Sequence, residues 1–211
     1  MSKTATRSVE YDSVRVDFVP SGDRIAHVIY VREPAAANQA GTASATERPW
    51  IELLRSVESA ADVAWPDSPP LQELHIEDRG GQPVALLVGR AGKSHWSASF
   101  GCECDENGPE VLVIDIAARV SMLPVLLGSS YAFADGVSWL GKTPHGGDDY
   151  ARWQAITFIA RETANWQFAV DAPSSLVAFA NADHFCVQPQ LGNQAVPATV
   201  RWRMLISTSL G

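Results

Sequence analysis

The feature that most constrains the fold of this chain is an alternation of apolar and polar residues along short segments. In Thr199–Thr208, the apolar residues Val200, Trp202, Met204 and Ile206 alternate with polar ones over most of the segment. Successive side chains of a β-strand point to opposite faces, so this period of two predicts a strand with one core face and one solvent face. The pattern recurs through most of the sequence and predicts a mainly β protein.

The size and composition predict one globular domain covering residues 1–211. With 211 residues and 46% hydrophobic residues, the chain is long enough to bury a sizeable core. We expect a single-domain antiparallel β-sandwich or barrel of about ten strands with one flanking helix. The alternative is an α+β fold with additional helix, especially across residues 115–130.

Turn residues between alternating segments predict two β-hairpins. Pro20–Asp23 and Asp78–Gln82 each combine residues that favour tight turns. The first would join strands at Val14–Pro20 and Arg24–Arg32, and the second would join Leu71–Glu77 to Pro83–Gly89. Further strands are expected at His95–Glu103, Glu110–Ala118, Tyr131–Leu140, Arg152–Glu162, Trp166–Asp171 and Thr199–Ser209, and Ser174–Asp183 fits either a strand or a short helix.

The flanking helix is predicted over Glu47–Ala61. Thr46 can cap its start, and Trp50, Leu53 and Leu54 recur at helical spacing. Residues 1–8 are expected to form a disordered tail. Residues 33–46, rich in Ala, Asn, Gly, Ser and Thr, are expected to form a mobile loop.

The charge balance argues against two classes of partner. The chain carries 16 basic and 24 acidic residues, a net charge of −8, and contains no cluster of Lys or Arg. Nucleic acids and anionic membranes are therefore not expected as partners. The polar N-terminal segment gives no sign of a signal peptide, and the three cysteines give no sign of a disulfide framework. We therefore expect a cytoplasmic protein. No cofactor is expected.

The cysteines suggest one metal-site hypothesis. Cys102 and Cys104 form one i, i+2 pair, and His184 and Cys186 form another. If the two strands were neighbours, three thiolates and an imidazole could bind zinc. The sequence favours a core role for the thiols instead, because Trp96, Ala98 and Phe100 share their face.

The polar segment Gly141–Tyr150 is the candidate for catalysis. His145 could act as a base, with Asp148 or Asp149 orienting it. Residues 136–143 match the phosphate-loop string Gly-x-x-x-x-Gly-Lys-Thr, but Pro144 argues against the helix that such a loop requires. A solvated hairpin loop is the simpler interpretation.

A polar position within an otherwise apolar strand predicts an ion pair. Asp115 interrupts the apolar run Val111–Ala118. A carboxylate in that position needs a partner. We expect one from a neighbouring strand, with Arg90, Arg201 and Arg203 as candidates.

Three hypotheses of function follow. The leading one is a soluble β-rich binding module for a small apolar ligand or a protein partner, with Trp139, Trp153 and Trp166 as candidate ligand-binding residues. The second is an enzyme with a His/Asp site on loop 141–150. The third is a homo-oligomeric structural protein that associates through residues 120–134, where apolar side chains are concentrated.

Overall fold

The structure, a computed structural model, describes residues 5–32, 48–60, 63–104, 110–144, 152–160, 164–170, 175–178, 184–189 and 195–208. Within these ranges the regular structure consists of β-strands, without a helix. The predicted loop 33–46 lies outside the described residues. The described part of the chain therefore confirms the mainly β class.

The strands follow one another in chain order as β1 to β15. They are β1 (Arg7–Glu10), β2 (Val14–Ser21), β3 (Arg24–Arg32), β4 (Trp50–Ser56), β5 (Leu71–Arg79), β6 (Gln82–Ala91), β7 (Ser94–Glu103), β8 (Val111–Val120), β9 (Ser129–Phe133), β10 (Val137–Pro144), β11 (Arg152–Ala160), β12 (Ala164–Val170), β13 (Ser175–Ala178), β14 (His184–Gln188) and β15 (Ala198–Thr208).

The strands form a sandwich of two antiparallel sheets rather than a closed barrel. Strand pairing continues from one sheet into the other, in the order β1-β2-β3-β4-β9-β14-β13-β11-β12-β15-β8-β7-β6-β5, with β10 paired to β11. Phe18 on β2 and His27 on β3 pack against Phe100 on β7. The indole N–H of Trp202 on β15 donates to the hydroxyl of Ser129 on β9. The two sheets therefore meet through a mixed aromatic and polar core.

Both predicted hairpins are confirmed. β2 pairs with β3, and β5 pairs with β6, each in antiparallel register across a short turn. Gly22 and Gly80 in these turns have φ angles of 64° and 66°, a backbone region that favours glycine. The alternation in β15 is also confirmed, because Val200, Trp202, Met204 and Ile206 are buried while Arg201 is exposed.

The prediction of a helix over Glu47–Ala61 was wrong. Trp50–Ser56 forms β4, which pairs with β3 and β9. Ile29 pairs with Leu54 and Tyr30 pairs with Glu52, so Leu53 is an extra residue in a β-bulge. The bulge allows Leu53 and Leu54 to be buried side by side, and this adjacent apolar pair imitated helical spacing.

Three boundaries differ from the sequence-based expectation. Arg7 and Ser8, placed in the predicted tail, belong to β1 and pair with Phe18 and Asp17. The expected strand Tyr131–Leu140 is divided between β9 and β10, and the ambiguous segment after Ser174 contains β13. The phosphate-loop string also fails in its structural context, because its Gly-Lys-Thr lies within β10, paired with β11.

Among the described residues there is no helix with the length and apolar character needed to cross a membrane.

Candidate functional site

The catalytic candidates of loop 141–150 lie outside the described residues. His145, Asp148 and Asp149 fall in the gap between residues 144 and 152. The hypothesis of a His/Asp site therefore stays a prediction.

The three candidate ligand-binding tryptophans lie on neighbouring strands, β10, β11 and β12. Trp139 pairs with Phe158, and Trp153 pairs with Pro144. Trp166 is buried in the hydrophobic core. Trp166 thus has a packing role in this structure.

The four proposed zinc ligands do not come together. Cys102 lies on β7 and Cys104 directly follows that strand, whose neighbours are β6 and β8, whereas His184 and Cys186 lie on β14, between β13 and β9. The zinc hypothesis required adjacent strands, so this arrangement contradicts it. The structure instead brings Cys102 and Cys104 close to Glu110. Burial raises the pKa of the Cys102 thiol, and the Glu110 carboxylate raises it further.

Residues 120–134 comprise the connection from β8 to β9 together with β9 itself, and several apolar side chains in the connection are exposed. Met122, Leu123 and Val125 are exposed, whereas Leu127 and Tyr131 are buried. The first three lie where the interface hypothesis placed them. Association of chains through this segment stays a prediction.

An open groove crosses the outer face of the sheet formed by β5, β6, β7, β8 and β15. Its volume is about 750 Å³. The residues that line it are Gln72, Glu73, Val88, Gly89, Arg90, His95, Trp96, Ser97, Ala117, Arg119, Thr199 and Arg201. A groove of this volume is within the roughly 300–1,000 Å³ typical of small-molecule sites.

Strand register places the polar residues of the groove in a row. Arg90 lies opposite His95, His95 lies opposite Arg119, and Arg119 lies opposite Thr199. All four side chains are exposed. They share one face because residues paired directly across antiparallel strands point to the same side of the sheet.

A second row runs beside the first. Ser97 lies opposite Ala117, which lies opposite Arg201. The small side chain of Ala117, on β8, therefore lies between Ser97 on β7 and Arg201 on β15. Arg201 and Arg119 are diagonal neighbours, which places their backbones about 7–8 Å apart.

The three arginines of the groove lack anionic partners within the described part of the chain. Arg90, Arg119 and Arg201 form no ion pair there, and their guanidinium groups form no hydrogen bond. Arg203, two residues beyond Arg201, differs because it pairs with Glu103 and lies 3.8 Å from the carboxylate of Asp115. This contact confirms the predicted cross-strand partner of Asp115, although Asp115 is exposed rather than buried.

One edge of the groove is shaped by a close approach of two backbones. Gly89 pairs with Leu71 on one side and Trp96 on the other. An alanine Cβ at this position would lie 1.8 Å from the carbonyl oxygen of Pro70. Gln72 follows at an irregularity in the β5 ladder, and its side-chain oxygen accepts a hydrogen bond of 3.2 Å from the backbone N–H of Arg90.

A separate polar cluster lies inside the sandwich. His27 is 2% exposed, and its Nε2 is joined to the Tyr131 hydroxyl by a hydrogen bond of 2.9 Å. Ser56 accepts a hydrogen bond from the backbone N–H of His27 and donates one to Glu58. Burial lowers the pKa of His27 to about 3, and burial raises the pKa of Glu58. The lowered pKa of His27 favours its neutral imidazole, which is typical of a structural polar network.

Comparisons with protein-family models, with curated proteins and with solved structures gave no match to this chain.

Alternation along the expected strand His95–Glu103 places His95 and Ser97 on the face opposite Trp96, and alternation in the last strand places Arg201 and Arg203 on the face opposite Trp202. Alternation alone does not bring them together as a groove, because the adjacency of β7, β8 and β15 joins segments far apart in the chain. The signal available in the sequence was a basic or imidazole side chain directly before a core tryptophan in two separate strands. These pairs are His95 with Trp96 and Arg201 with Trp202.

Proposed function

We propose that this protein is a binding module whose outer-face groove holds a small molecule with two or more oxyanionic groups. The observation that carries the proposal is the set of three arginines, Arg90, Arg119 and Arg201, exposed in one groove without ion-pair partners among the described residues. Guanidinium groups match the geometry of phosphate, carboxylate and sulfate oxygens, and they remain charged at any physiological pH.

The spacing of the arginines favours a ligand with more than one anionic group. Arg90 and Arg119 lie in one row with β7 between their strands. Neighbouring strands are about 4.8 Å apart, so their backbones are separated by about 10 Å. Arg201 lies on the strand beyond Arg119. Flexible arginine side chains on three strands can hold a ligand that extends across the groove.

The charge of the whole chain favours a small ligand over a long polyanion. The net charge is −8, and Glu73 lines the groove beside the arginines. A nucleic acid would extend beyond the groove onto a surface of the same sign as its phosphates. A small anion would meet mainly the arginines.

Other polar groups in the groove could recognise the rest of the ligand. The hydroxyls of Ser97 and Thr199 and the imidazole of His95 face the same space. Each can donate or accept a hydrogen bond. Hydroxyl or amide groups on the ligand would find partners there.

We infer binding rather than catalysis from the same groove. Ser97 and His95 stand two residues apart on one strand, and no hydrogen bond links their side chains. An activated serine requires such a contact with its base. The alternative of a small apolar ligand receives less support, since the buried rings of Tyr131, Phe168 and Phe185 pack on one another. We place the module in the cytoplasm, and its three free thiols support that location.

Calorimetric titration with inorganic pyrophosphate and with citrate tests this proposal. In a low-salt buffer free of other oxyanions, we expect saturable binding of at least one of them and weaker binding of inorganic phosphate. Arg119→Ala should weaken binding about tenfold or more, because it removes charge-assisted hydrogen bonds. Binding of pyrophosphate alone would indicate a phosphate ligand, and binding of citrate alone would indicate a carboxylate ligand.

The matched control is Arg79→Ala. Arg79 is exposed at the turn end of the β5–β6 hairpin and pairs with Glu77, so this variant makes the same change in net charge outside the groove. We expect its affinity to stay near that of the parent protein. Equal weakening by both variants, or no saturable binding of either probe, would contradict a specific anion site.

A further inference from the structure

Three metal-ligating side chains converge at the end of β7 away from the groove. The sulfur atoms of Cys102 and Cys104 and a carboxylate oxygen of Glu110 lie within 4.8 Å of one another. Cys102 lies on β7, and Cys104 directly follows the last residue of that strand, Glu103, so the two cysteines form an i, i+2 pair at the strand end. Glu110 directly precedes β8, whose first residue, Val111, pairs with Glu103. Strand pairing therefore sets the distance between the carboxylate and the thiols.

We propose that Cys102, Cys104 and Glu110 form a binding site for a thiophilic divalent cation such as Zn²⁺. Two thiolates and one carboxylate provide three protein ligands, and water can complete a tetrahedron. Binding replaces the two thiol protons by the metal and releases them to solvent, with no change in oxidation state. Cys104 is exposed and Cys102 is half-buried, so the cation can reach both sulfur atoms.

Hydrogen bonds orient the carboxylate that completes the site. One oxygen of Glu110 accepts from the backbone N–H of Ser13 at 2.7 Å and from the Ser13 hydroxyl, and the other accepts from the backbone N–H of Asp12 at 3.2 Å. A carboxylate has about four lone-pair sites, so the oxygen that faces Asp12 retains capacity for a metal ion. Such supporting hydrogen bonds are typical of metal-binding carboxylates. A bound cation would link the turn between β1 and β2 to the ends of β7 and β8.

The geometry favours a metal over a disulfide between the two cysteines. Residues i and i+2 of an extended strand are separated by about 6.6 Å at their Cα atoms. That separation is near the upper end of the roughly 4.4–6.8 Å found for disulfides. Bridging the two sulfur atoms through a metal ion requires no such contraction of the strand.

Cobalt titration of the reduced, metal-free protein tests the site. We expect one Co²⁺ per chain, a thiolate-to-cobalt charge-transfer band, and loss of that band when Zn²⁺ displaces the cobalt. Cys104→Ser should reduce the band per bound cobalt and weaken binding by more than the roughly 10–100-fold typical of outer-shell changes. Glu110→Gln should weaken binding while leaving the thiolate band per bound cobalt unchanged.

The control variant is Cys186→Ala, which removes the buried thiol on β14. It should retain both the affinity and the band. The proposal is overturned if the parent protein gives no charge-transfer band, or if Cys104→Ser or Glu110→Gln binds as tightly as the parent. Loss of the band in Cys186→Ala would overturn it as well.

Discussion

Replacing Gly89 with alanine is expected to lower the free energy of unfolding by about 3 kcal/mol or more. The added Cβ would lie 1.8 Å from the carbonyl oxygen of Pro70 and 3.0 Å from the Cα of Leu71. Both obstacles are backbone atoms, so no side chain can rotate away and the strands must separate. Overpacking of this kind typically costs 1–3 kcal/mol, and a collision with backbone belongs at or beyond the upper end of that range.

Thermal and urea unfolding measure the effect. For a protein of this size, each kcal/mol lost from the free energy of unfolding lowers Tm by about 2–4 °C. Gly101→Ala is the matched control, because Gly101 also lies in a strand and its added Cβ would meet only Val84 Cγ2 at 3.7 Å. That variant should be as stable as the parent or slightly more stable, since glycine weakens strands. Equal stability of the two variants would contradict the close approach of the Pro70 backbone to Gly89.

The second large effect is a loss of stability in acid that depends on His27. The pKa of this buried imidazole is lowered to about 3, compared with its usual 6.5. Between these values the unfolded chain binds a proton that the folded protein does not, so stability falls as the pH falls. Each pH unit in this window lowers the free energy of unfolding by up to about 1.4 kcal/mol. The loss between about pH 6.5 and 4.5 is therefore roughly 2–3 kcal/mol.

Glu58 acts in the opposite direction. Burial raises its pKa, so the folded protein holds its proton more tightly than the unfolded chain does. Its contribution therefore favours folding as the pH falls and offsets part of the loss from His27. Removing the imidazole should leave this opposing contribution, together with those of the other carboxylates.

Urea unfolding of the parent and His27→Gln at several pH values between about 7 and 4 measures the difference in slope. His27→Gln should lose less stability per pH unit than the parent, whatever its stability at neutral pH. His75→Gln is the control, because His75 is an exposed residue on β5. Equal slopes for the parent and His27→Gln would show that His27 is not buried in its neutral form.

The parts of the fold that were predictable are those with local causes. The hairpin turn at Pro20–Asp23 contains its own turn chemistry, and the alternation in β15 directly records which face is buried. The helix prediction failed because a bulge in β4 depends on the pairing with β3, which is a tertiary contact. Apolar spacing alone could not distinguish a bulged strand from a helix turn.

The candidate groove was predictable only in fragments. The exposed side of β7, including His95, and the polar face of β15, including Arg201, could both be inferred from alternation. Their convergence depends on β8 lying between them. The metal-site candidates illustrate the same limit: the i, i+2 pair Cys102 and Cys104 was visible in the sequence, but its neighbour is Glu110 rather than the distant pair at 184–186.

The most direct test of the anion-binding account is an NMR titration of arginine side chains. The Nε–H resonances of the ¹⁵N-labelled protein would be followed as pyrophosphate, or citrate if calorimetry favours it, is added, and assigned by single Arg→Lys variants. The account predicts that the resonances of Arg90, Arg119 and Arg201 shift together and saturate, while those of Arg55 and Arg79, which pair with carboxylates outside the groove, do not. Equal, non-saturating shifts at all five arginines, or no shift in the groove, would contradict it.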